Sequence, residues 1–226
     1  FQVSGFSFAP APIPMPLFAA TIFASAFLLF LVQPLLGKYI LPWFGGSPGV
    51  WTTCLLFFQT LLLCGYAYAH FLTTRFPPRR QALIHGILLL VAVCCLPIVP
   101  SAHWKPAPDA EPVTRILVLL SVCVGLPYLA LSATGPLVQR WFSLAHPTVP
   151  PYRLYALSNL GSLLALVGYP FVIEPVLTRT AQGYGWSVAF ALFAGLAGFC
   201  AWRVRRVVES AVATGGDPLE EIADAP

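Results

Sequence analysis

Two rows of polar side chains interrupt otherwise apolar stretches of this chain. The spacing within each row is close to a whole number of helical turns, so each row occupies one face of a helix. Hydroxyl, amide and imidazole groups in such rows can bond to a neighbouring helix, bind a polar solute or carry a proton. The first row contains Thr52, Gln59, Tyr66 and His70, and the second contains Tyr155, Asn159, Ser162 and Tyr169.

Both rows are expected to face the interior of a helical bundle, because a polar group exposed to lipid is costly. Two interpretations stay open at this point. The rows could join helices through hydrogen bonds worth about 0.6 kcal/mol each, or they could line a path for a solute or a proton. For the second interpretation the candidate contact residues are Gln59, Tyr66, His70, Tyr155, Asn159 and Ser162.

One pair of charged residues lies beside the apolar stretches. Lys38 follows the first stretch, and Glu174 ends the fifth at the same side of the expected bundle. We expect the two side chains to lie close together as an ion pair, because pairing compensates the cost of placing each charge near lipid. The alternative is that each side chain reaches separately toward lipid headgroups.

Six uncharged stretches of about twenty residues must position these side chains. At about 1.5 Å per residue, roughly twenty helical residues cross a hydrocarbon core of about 30 Å. The sequence therefore predicts an all-α polytopic membrane protein with six transmembrane helices in residues 17–206, a Pro-rich extended lead-in at 1–16 and an acidic cytosolic tail or linker at 207–226. The predicted helices are Leu17–Leu36, Pro48–Phe71, Gln81–Pro100, Ile116–Gln139, Leu154–Ile173 and Gly183–Trp202.

Composition and charge agree with this prediction. The chain is 58% hydrophobic and only 9% charged, with a mean hydropathy of +0.80, whereas soluble domains average about 25% charged residues. The positive-inside rule predicts cytoplasmic N- and C-termini, in a bacterial inner membrane. On the predicted cytoplasmic side are Arg75, Arg79, Arg80, Arg140, Arg153, Arg203, Arg205 and Arg206, against Lys38, Lys105, Arg115 and Arg179 on the other side.

Several site chemistries lack a motif in the sequence. All six cysteines lie inside predicted helices without a metal-ligand spacing, so they are expected to pack as small apolar residues. We identify no catalytic set, no phosphate-binding loop and no metal motif, and we therefore predict no enzyme activity in this chain, no cofactor and no metal. The arginines flank helices instead of forming a patch, so no nucleic-acid partner is expected.

A short internal similarity suggests a repeat. Residues 34–39, Pro-Leu-Leu-Gly-Lys-Tyr, resemble residues 136–141, Pro-Leu-Val-Gln-Arg-Trp. Because three helices separate the two segments, they would run in opposite directions through a membrane. This is the pattern of a three-plus-three inverted repeat, as in half of a major-facilitator transporter. A chance match in apolar sequence is the alternative.

Longer segments resemble a known family. They are the run from Gln33 to Pro48, residues 50–54 (Val-Trp-Thr-Thr-Cys), 65–70 (Gly-Tyr-Ala-Tyr-Ala-His), 132–137 (Ser-Ala-Thr-Gly-Pro-Leu) and 151–162 (Pro-Tyr-Arg-Leu-Tyr-Ala-Leu-Ser-Asn-Leu-Gly-Ser). Together they resemble the membrane module of bacterial fused major-facilitator/spermidine-synthase proteins. The resemblance implies a helical membrane domain followed by a cytosolic aminopropyltransferase domain. That second domain has no counterpart in this sequence, so any such activity would lie in a domain absent here.

Three functions follow from these expectations. The first is an anchor or accessory subunit of a larger membrane assembly, or of a cytosolic synthase-like partner. The second is half of a small-solute transporter that works as a homodimer, with polyamines as the solute that the resemblance suggests. The third is the membrane part of a spermidine-synthase-like protein whose catalytic domain is elsewhere. The expected partners are the lipid bilayer and either a second copy or a larger membrane complex.

Overall fold

The computed structural model describes residues 13–106, 111–146 and 148–213. These residues form six long helices and a 3₁₀ turn at Ala102–Trp104, and they contain no strand. The prediction of an all-helical chain with six helices is therefore confirmed. The helices are α1 Met15–Phe44, α2 Pro48–Arg75, α3 Pro78–Cys94, α4 Pro112–Ala145, α5 Tyr152–Val176 and α6 Arg179–Ala213.

Five of these helices are long and apolar enough to cross a membrane. They are α1, α2, α4, α5 and α6, and the most apolar windows, in α1 and α4, have a mean hydropathy of 2.3. The remaining helix, α3, has 17 residues, which at about 1.5 Å per residue gives a length of roughly 25 Å. Length and composition thus agree with a membrane location for most of the bundle.

Prolines and polar caps define where the helices begin. Pro16, Pro48, Pro78 and Pro112 each occupy the first turn of a helix. A proline is favourable there because its missing N–H has no helical partner in any case, and its fixed φ suits the helix. Two starts also have a side-chain cap, in which Ser47 accepts a bond from the Val50 amide and Glu111 accepts one from the Thr114 amide.

Three predicted helix ends are wrong. The first helix continues eight residues beyond Leu36, because Pro34 and Pro42 each remove only one helical hydrogen bond. It ends at Phe44, just before Gly45, whose φ is +86°. The third helix stops at Cys94 instead of Pro100, since prolines at 97 and 100 cannot continue it. The sixth helix runs through the predicted tail as far as Ala213.

The other predicted bounds differ by six residues or fewer. Most of the predicted lead-in, residues 1–12, and most of the predicted tail, residues 214–226, lie outside the described residues. Within the described part, the lead-in prediction is also too long, because α1 already begins at Met15 with Pro16 in its first turn.

Two helices contain a widened π-helical turn. The turn spans Ser121–Gly125 in α4 and Tyr169–Ile173 in α5. In each case a proline lies two residues after the turn, Pro127 in α4 and Pro175 in α5. The ring of a proline clashes with the carbonyl four residues earlier, and a π turn is one way for a helix to accommodate this clash and continue.

The helices pack mainly across the two halves of the chain. α1 packs against α4, α5 and α6, while α4 also packs against α2 and α3, and α3 packs against α6. Every extensive contact therefore joins one helix of α1–α3 with one of α4–α6. Individual hydrogen bonds also join the two halves: Ser25 Oγ donates to the Leu131 carbonyl at 2.8 Å, and Trp186 Nε1 donates to the Leu28 carbonyl at 3.0 Å.

Two glycines permit the closest of these contacts. A Cβ atom at Gly161 on α5 would lie 2.9 Å from the carbonyl oxygen of Phe23 on α1. A Cβ atom at Gly65 on α2 would lie 2.8 Å from the Cβ of Ser132 on α4. Helix α5 thus approaches α1, and α2 approaches α4, at distances that only glycine allows.

The bundle has two ends, which we name by their charged residues. The lysine end contains the turns after α1, α3 and α5, and there Arg179 donates to the Lys38 carbonyl at 3.3 Å. The arginine end contains the turns after α2 and α4 and the first turn of α3, with Arg79 and Arg80. At this end His146 Nε2 donates to the carbonyl oxygen of Ile13 at 3.2 Å.

Candidate functional site

The two polar rows lie mainly on the surface of the six-helix unit, and of their eight residues only Tyr169 is buried. Five of the six candidate residues are exposed and one is half-buried, so the prediction that they face the interior is wrong for a single chain. The reason is that another face of α2 and α5, with small and apolar residues such as Gly65 and Gly161, packs against α4 and α1. The exposed residues are Gln59, Tyr66, His70, Tyr155 and Asn159, and the half-buried one is Ser162.

Part of each row nevertheless meets at one groove, which we call the central groove. Its floor is formed by α1 and α4, and its walls are formed by α2 and α5. The groove encloses about 420 Å³, within the range of about 300–1,000 Å³ that is typical of small-molecule sites. The polar side chains at its lining are Ser25, Tyr66, Ser132, Gln139, Tyr155, Ser158 and Asn159.

Three of the six candidate residues, Tyr66, Tyr155 and Asn159, thus belong to this groove. Tyr66 is 50% exposed and Tyr155 is 53% exposed, so both phenol groups are accessible from outside the chain. The remaining candidates, Gln59, His70 and Ser162, are not among the lining residues.

Two prolines add backbone acceptors to the groove. A proline has no N–H to donate to the carbonyl four residues earlier in a helix. Pro34 therefore deprives the Phe30 carbonyl of its usual donor, and Pro136 does the same for the Ser132 carbonyl. Both Phe30 and Ser132 line the central groove, one on each floor helix. The two prolines that begin the sequence similarity thus each leave an acceptor at this site.

The floor helices are held together directly beneath the groove. Ser25, which lines the groove, donates to the Leu131 carbonyl. Gln33 Nε2 donates to the hydroxyl oxygen of Tyr128 at 3.2 Å, again between α1 and α4. These bonds fix the relative position of the two floor helices.

The predicted pair of charges is found at the lysine end. The Nζ of Lys38 forms an ion pair with the carboxylate of Glu174, and the two side chains are 31% and 39% exposed. Arg179 reinforces this region, because its guanidinium lies 5.5 Å from the centre of the Tyr39 ring and donates to the Lys38 carbonyl. The cluster ties the end of α1 to α5 and α6, and none of its charged groups lines the central groove.

A buried polar cluster between α2, α3 and α4 was not predicted as a unit. His85 is fully buried, and its Nε2 lies 3.0 Å from the Thr134 hydroxyl. Its Nδ1 and the nearby Tyr68 hydroxyl are buried without a protein hydrogen-bond partner. His85 lies seven residues after the start of α3, a position where a histidine is usually interfacial. Its burial results from the packing of α4 on α3.

Two glutamines hold equivalent places in the two halves. Gln81 is the fourth residue of α3, and Gln182 is the fourth residue of α6. The Nε2 of each donates to the carbonyl five residues earlier, Phe76 at 2.7 Å and Leu177 at 2.8 Å. Gln81 Oε1 accepts from the Trp141 indole, whereas Gln182 Oε1 accepts from the hydroxyl of Tyr169. Sequence reasoning missed both glutamines. Each lies just after a helix start, and the two are 101 positions apart in the sequence.

The chemistry available at the central groove is that of uncharged hydrogen bonding. Its described lining residues offer hydroxyl, amide and backbone carbonyl groups, and none of them carries a charge. No group of three His, Cys, Asp or Glu residues within the described ranges is placed to hold a metal ion. The groove can therefore orient a polar molecule, and its lining supplies no acid–base pair or nucleophile–base pair.

Comparisons with protein-family models, with characterised proteins and with solved structures find no match for this chain. The resemblance to fused major-facilitator/spermidine-synthase proteins therefore stays a prediction that depends on the quoted segments.

Proposed function

We propose that this chain is one half of a membrane transporter, and that its central groove binds a small uncharged polar solute. The observation that carries the proposal is the groove itself, where Tyr66, Tyr155 and Asn159 converge between four helices. An anchor needs only an apolar exterior, and it has no use for polar side chains gathered at a cavity of this size.

The membrane location is supported by the five long apolar helices and by the distribution of charge. The arginine end contains most of the basic residues, so we propose that it faces the cytoplasm of a bacterial cell, with both termini on that side. Under this proposal the ion pair of Lys38 and Glu174 lies at the outer surface of the inner membrane.

An inverted repeat of three plus three helices is supported by the packing. Exchanging α1 with α4, α2 with α5 and α3 with α6 reproduces the pattern of extensive contacts. The same exchange brings Gln81 onto Gln182 and Pro34 onto Pro136, with matching hydrogen bonds at the two glutamines. Repeats of this kind place solute sites near their interface, which is where the floor helices α1 and α4 meet.

A second copy of the chain is the proposed partner. Six polar residues of the two rows are exposed on α2 and α5, and side chains of this type rarely face lipid at membrane depth. A second six-helix unit placed against this face would cover them and close the central groove. The result would be a homodimer of twelve helices with the solute between the copies.

The groove favours an uncharged solute over a polyamine. A polycation needs carboxylates around it, because moving its charges out of water is costly without compensation. No carboxylate lines the groove among the described residues, and Glu174 is already paired with Lys38. The polyamine that the family resemblance suggests is therefore the less favoured solute.

Uptake into proteoliposomes tests this function directly. The purified chain would be reconstituted and assayed with labelled glucose, glycerol and glycine, and with spermidine as the charged comparison. We expect uptake of at least one of the first three, and a loss of about tenfold or more in Asn159→Leu, because the amide leaves the groove. Ser121→Leu is the control, since Ser121 is an exposed polar residue of α4 that lies outside both polar rows and outside the groove.

Two results would overturn the proposal. Uptake of spermidine alone would contradict the solute class, and no uptake of any probe by folded protein would favour the accessory role instead. The mass of the protein in lipid nanodiscs tests the homodimer independently of uptake. A monomeric mass, for a protein that is active in proteoliposomes, would contradict the homodimer.

A further inference from the structure

A second groove lies on the opposite side of the molecule, between α3 and α6. It encloses about 220 Å³ and is lined mainly by apolar residues, including Leu83, Ile87, Leu90 and Trp202. At the arginine end it continues into a hollow of about 600 Å³ lined by Pro77, Arg79, Arg80, Leu83 and Arg205. Leu83 and Arg205 belong to both, so the two spaces form one continuous site, which we call the α3–α6 groove.

Missing side chains create the apolar part of this groove. Gly86 on α3 and Gly198 on α6 both line it, and a Cβ atom built at either position would meet no other atom within 4 Å. These glycines therefore leave open space, in contrast to Gly65 and Gly161, which permit close helix contact. Leu83, Ile87 and Leu90 are 49%, 54% and 67% exposed along the groove wall. An extended apolar chain would cover this surface.

The polar end of the groove has the opposite character. Three arginines, Arg79, Arg80 and Arg205, line the hollow, and guanidinium groups bind phosphate oxygens in a bidentate manner. Trp202 lies at the junction with the Arg206 guanidinium 5.3 Å from its ring centre, as expected for a tryptophan at headgroup level. The site thus combines a place for negative charge with a place for a hydrocarbon chain.

We propose that the α3–α6 groove binds one anionic phospholipid of the cytoplasmic leaflet. The phosphate lies in the hollow near Arg80 and Arg205, and one acyl chain lies along the glycine-lined part of the groove. A second copy of the chain fits this site poorly, because a two-fold contact would bring the arginines of both copies together. A soluble anion would use the arginines but not the apolar groove. The proposal assumes a membrane location but does not depend on solute transport.

Native mass spectrometry of the purified full-length chain tests the proposal. Phosphatidylglycerol and phosphatidylcholine with identical acyl chains would be added separately, and inorganic phosphate would be the soluble comparison. We expect one retained phosphatidylglycerol, bound about tenfold or more tightly than phosphatidylcholine, because two or three arginines near the headgroup each add to the affinity. Retention of phosphate alone at a similar affinity would overturn the lipid assignment.

Two pairs of variants distinguish a built site from general attraction. Arg80→Gln with Arg205→Gln is expected to reduce phosphatidylglycerol binding about tenfold or more, whereas Arg75→Gln with Arg153→Gln, which changes the net charge equally at the same end, is expected to leave it unchanged. Gly198→Leu fills the groove and is expected to reduce binding with all arginines present. Gly195→Leu is its control, since Gly195 is equally open but lies outside the groove.

The outcomes are decisive in both directions. Equal losses in the two arginine pairs would show non-specific attraction and overturn the site, and so would full binding in Gly198→Leu. If a variant proved unstable, its melting temperature in detergent would reveal this, and the Gly195→Leu and Gly198→Leu comparison would still separate folding from binding. Loss of binding in Gly198→Leu with a normal melting temperature supports the proposal.

Discussion

The two halves of the molecule use the same framework with different chemistry. In α1–α3 the fourth residue of the last helix is Gln81, which accepts from a tryptophan, while in α4–α6 it is Gln182, which accepts from a tyrosine. The backbone bond of each glutamine is the same in both halves. The glutamine therefore joins the helix start to the preceding turn in both halves, while the side chain that donates to it differs.

The glycine contacts of α2 and α5 also differ between the two halves. Gly161 on α5 approaches a backbone carbonyl of α1, whereas Gly65 on α2 approaches a serine side chain of α4. One contact is therefore fixed by the backbone, and the other can be changed by a second substitution. This contrast leads to the largest expected effect.

Gly161→Ala and Gly65→Ala should each destabilise the protein by about 1–3 kcal/mol, as overpacking generally does. Unfolding in mixed detergent micelles would measure the change, with Gly195→Ala as the control at an open helix position. Ser132→Gly should restore part of the stability of Gly65→Ala, since it removes the side chain that obstructs the new methyl group and leaves only the Ala133 backbone nitrogen at 3.2 Å. No side-chain change should restore Gly161→Ala, and a normal unfolding curve for that variant would contradict the close contact of α1 and α5.

The two glutamines sharpen the comparison of the halves. Gln81→Leu should cost about 1–3 kcal/mol, because it leaves the Trp141 indole N–H and the Phe76 carbonyl without their partners. Gln182→Leu should cost less, because the Tyr169 hydroxyl can rotate toward another acceptor while an indole N–H cannot. The same unfolding assay measures both, and a larger loss for Gln182→Leu would reverse the interpretation.

The ion pair at the lysine end should contribute less than either glutamine. A double-mutant cycle of Lys38→Gln and Glu174→Gln should give a coupling of about 0.2–1 kcal/mol, since both side chains are about a third exposed and screened by solvent. The coupling should decrease as salt is raised from low to high concentration. A coupling that is independent of salt would indicate a pair shielded from water.

The smallest expected effect concerns the cap of α4. The hydrogen bond from the Thr114 amide lowers the pKa of Glu111 below its ordinary value. A carboxyl group with a lowered folded-state pKa stabilises the fold above its unfolded-state pKa, and this contribution disappears as the pH falls through the folded-state value. Glu111→Gln should therefore melt slightly below the unmodified protein near neutral pH and equally at acidic pH. A melting difference that persists at low pH would contradict the charge-dependent cap.

Periodicity and length predicted the helices, because about twenty apolar residues in succession have few other stable arrangements. The helix ends were harder to predict. Pro34 and Pro42 looked like breaks, yet a helix packed on several neighbours tolerates the loss of two hydrogen bonds. Local sequence contains no information on that packing, so the end at Phe44 could not be derived from it.

The candidate site was predicted in part. The spacing of polar residues could not show which face of each helix packs, and all row residues except the buried Tyr169 proved to be exposed or half-buried. Tyr66, Tyr155 and Asn159 line the central groove, while Ser132 and Gln139 were missed, although their spacing of seven residues also places them on one helix face. The burial of His85 could not be predicted either, since its enclosure depends on helices remote in sequence.

The contacts that join α1–α3 to α4–α6 also affect how the protein is made. A ribosome releases the first three helices before any of their main packing partners exists. We expect these helices to wait, loosely associated, until the last three emerge, so that folding is completed late and nearly all at once. Separately expressed halves should then be degraded when alone and accumulate when produced together, because each half supplies the surface that the other needs.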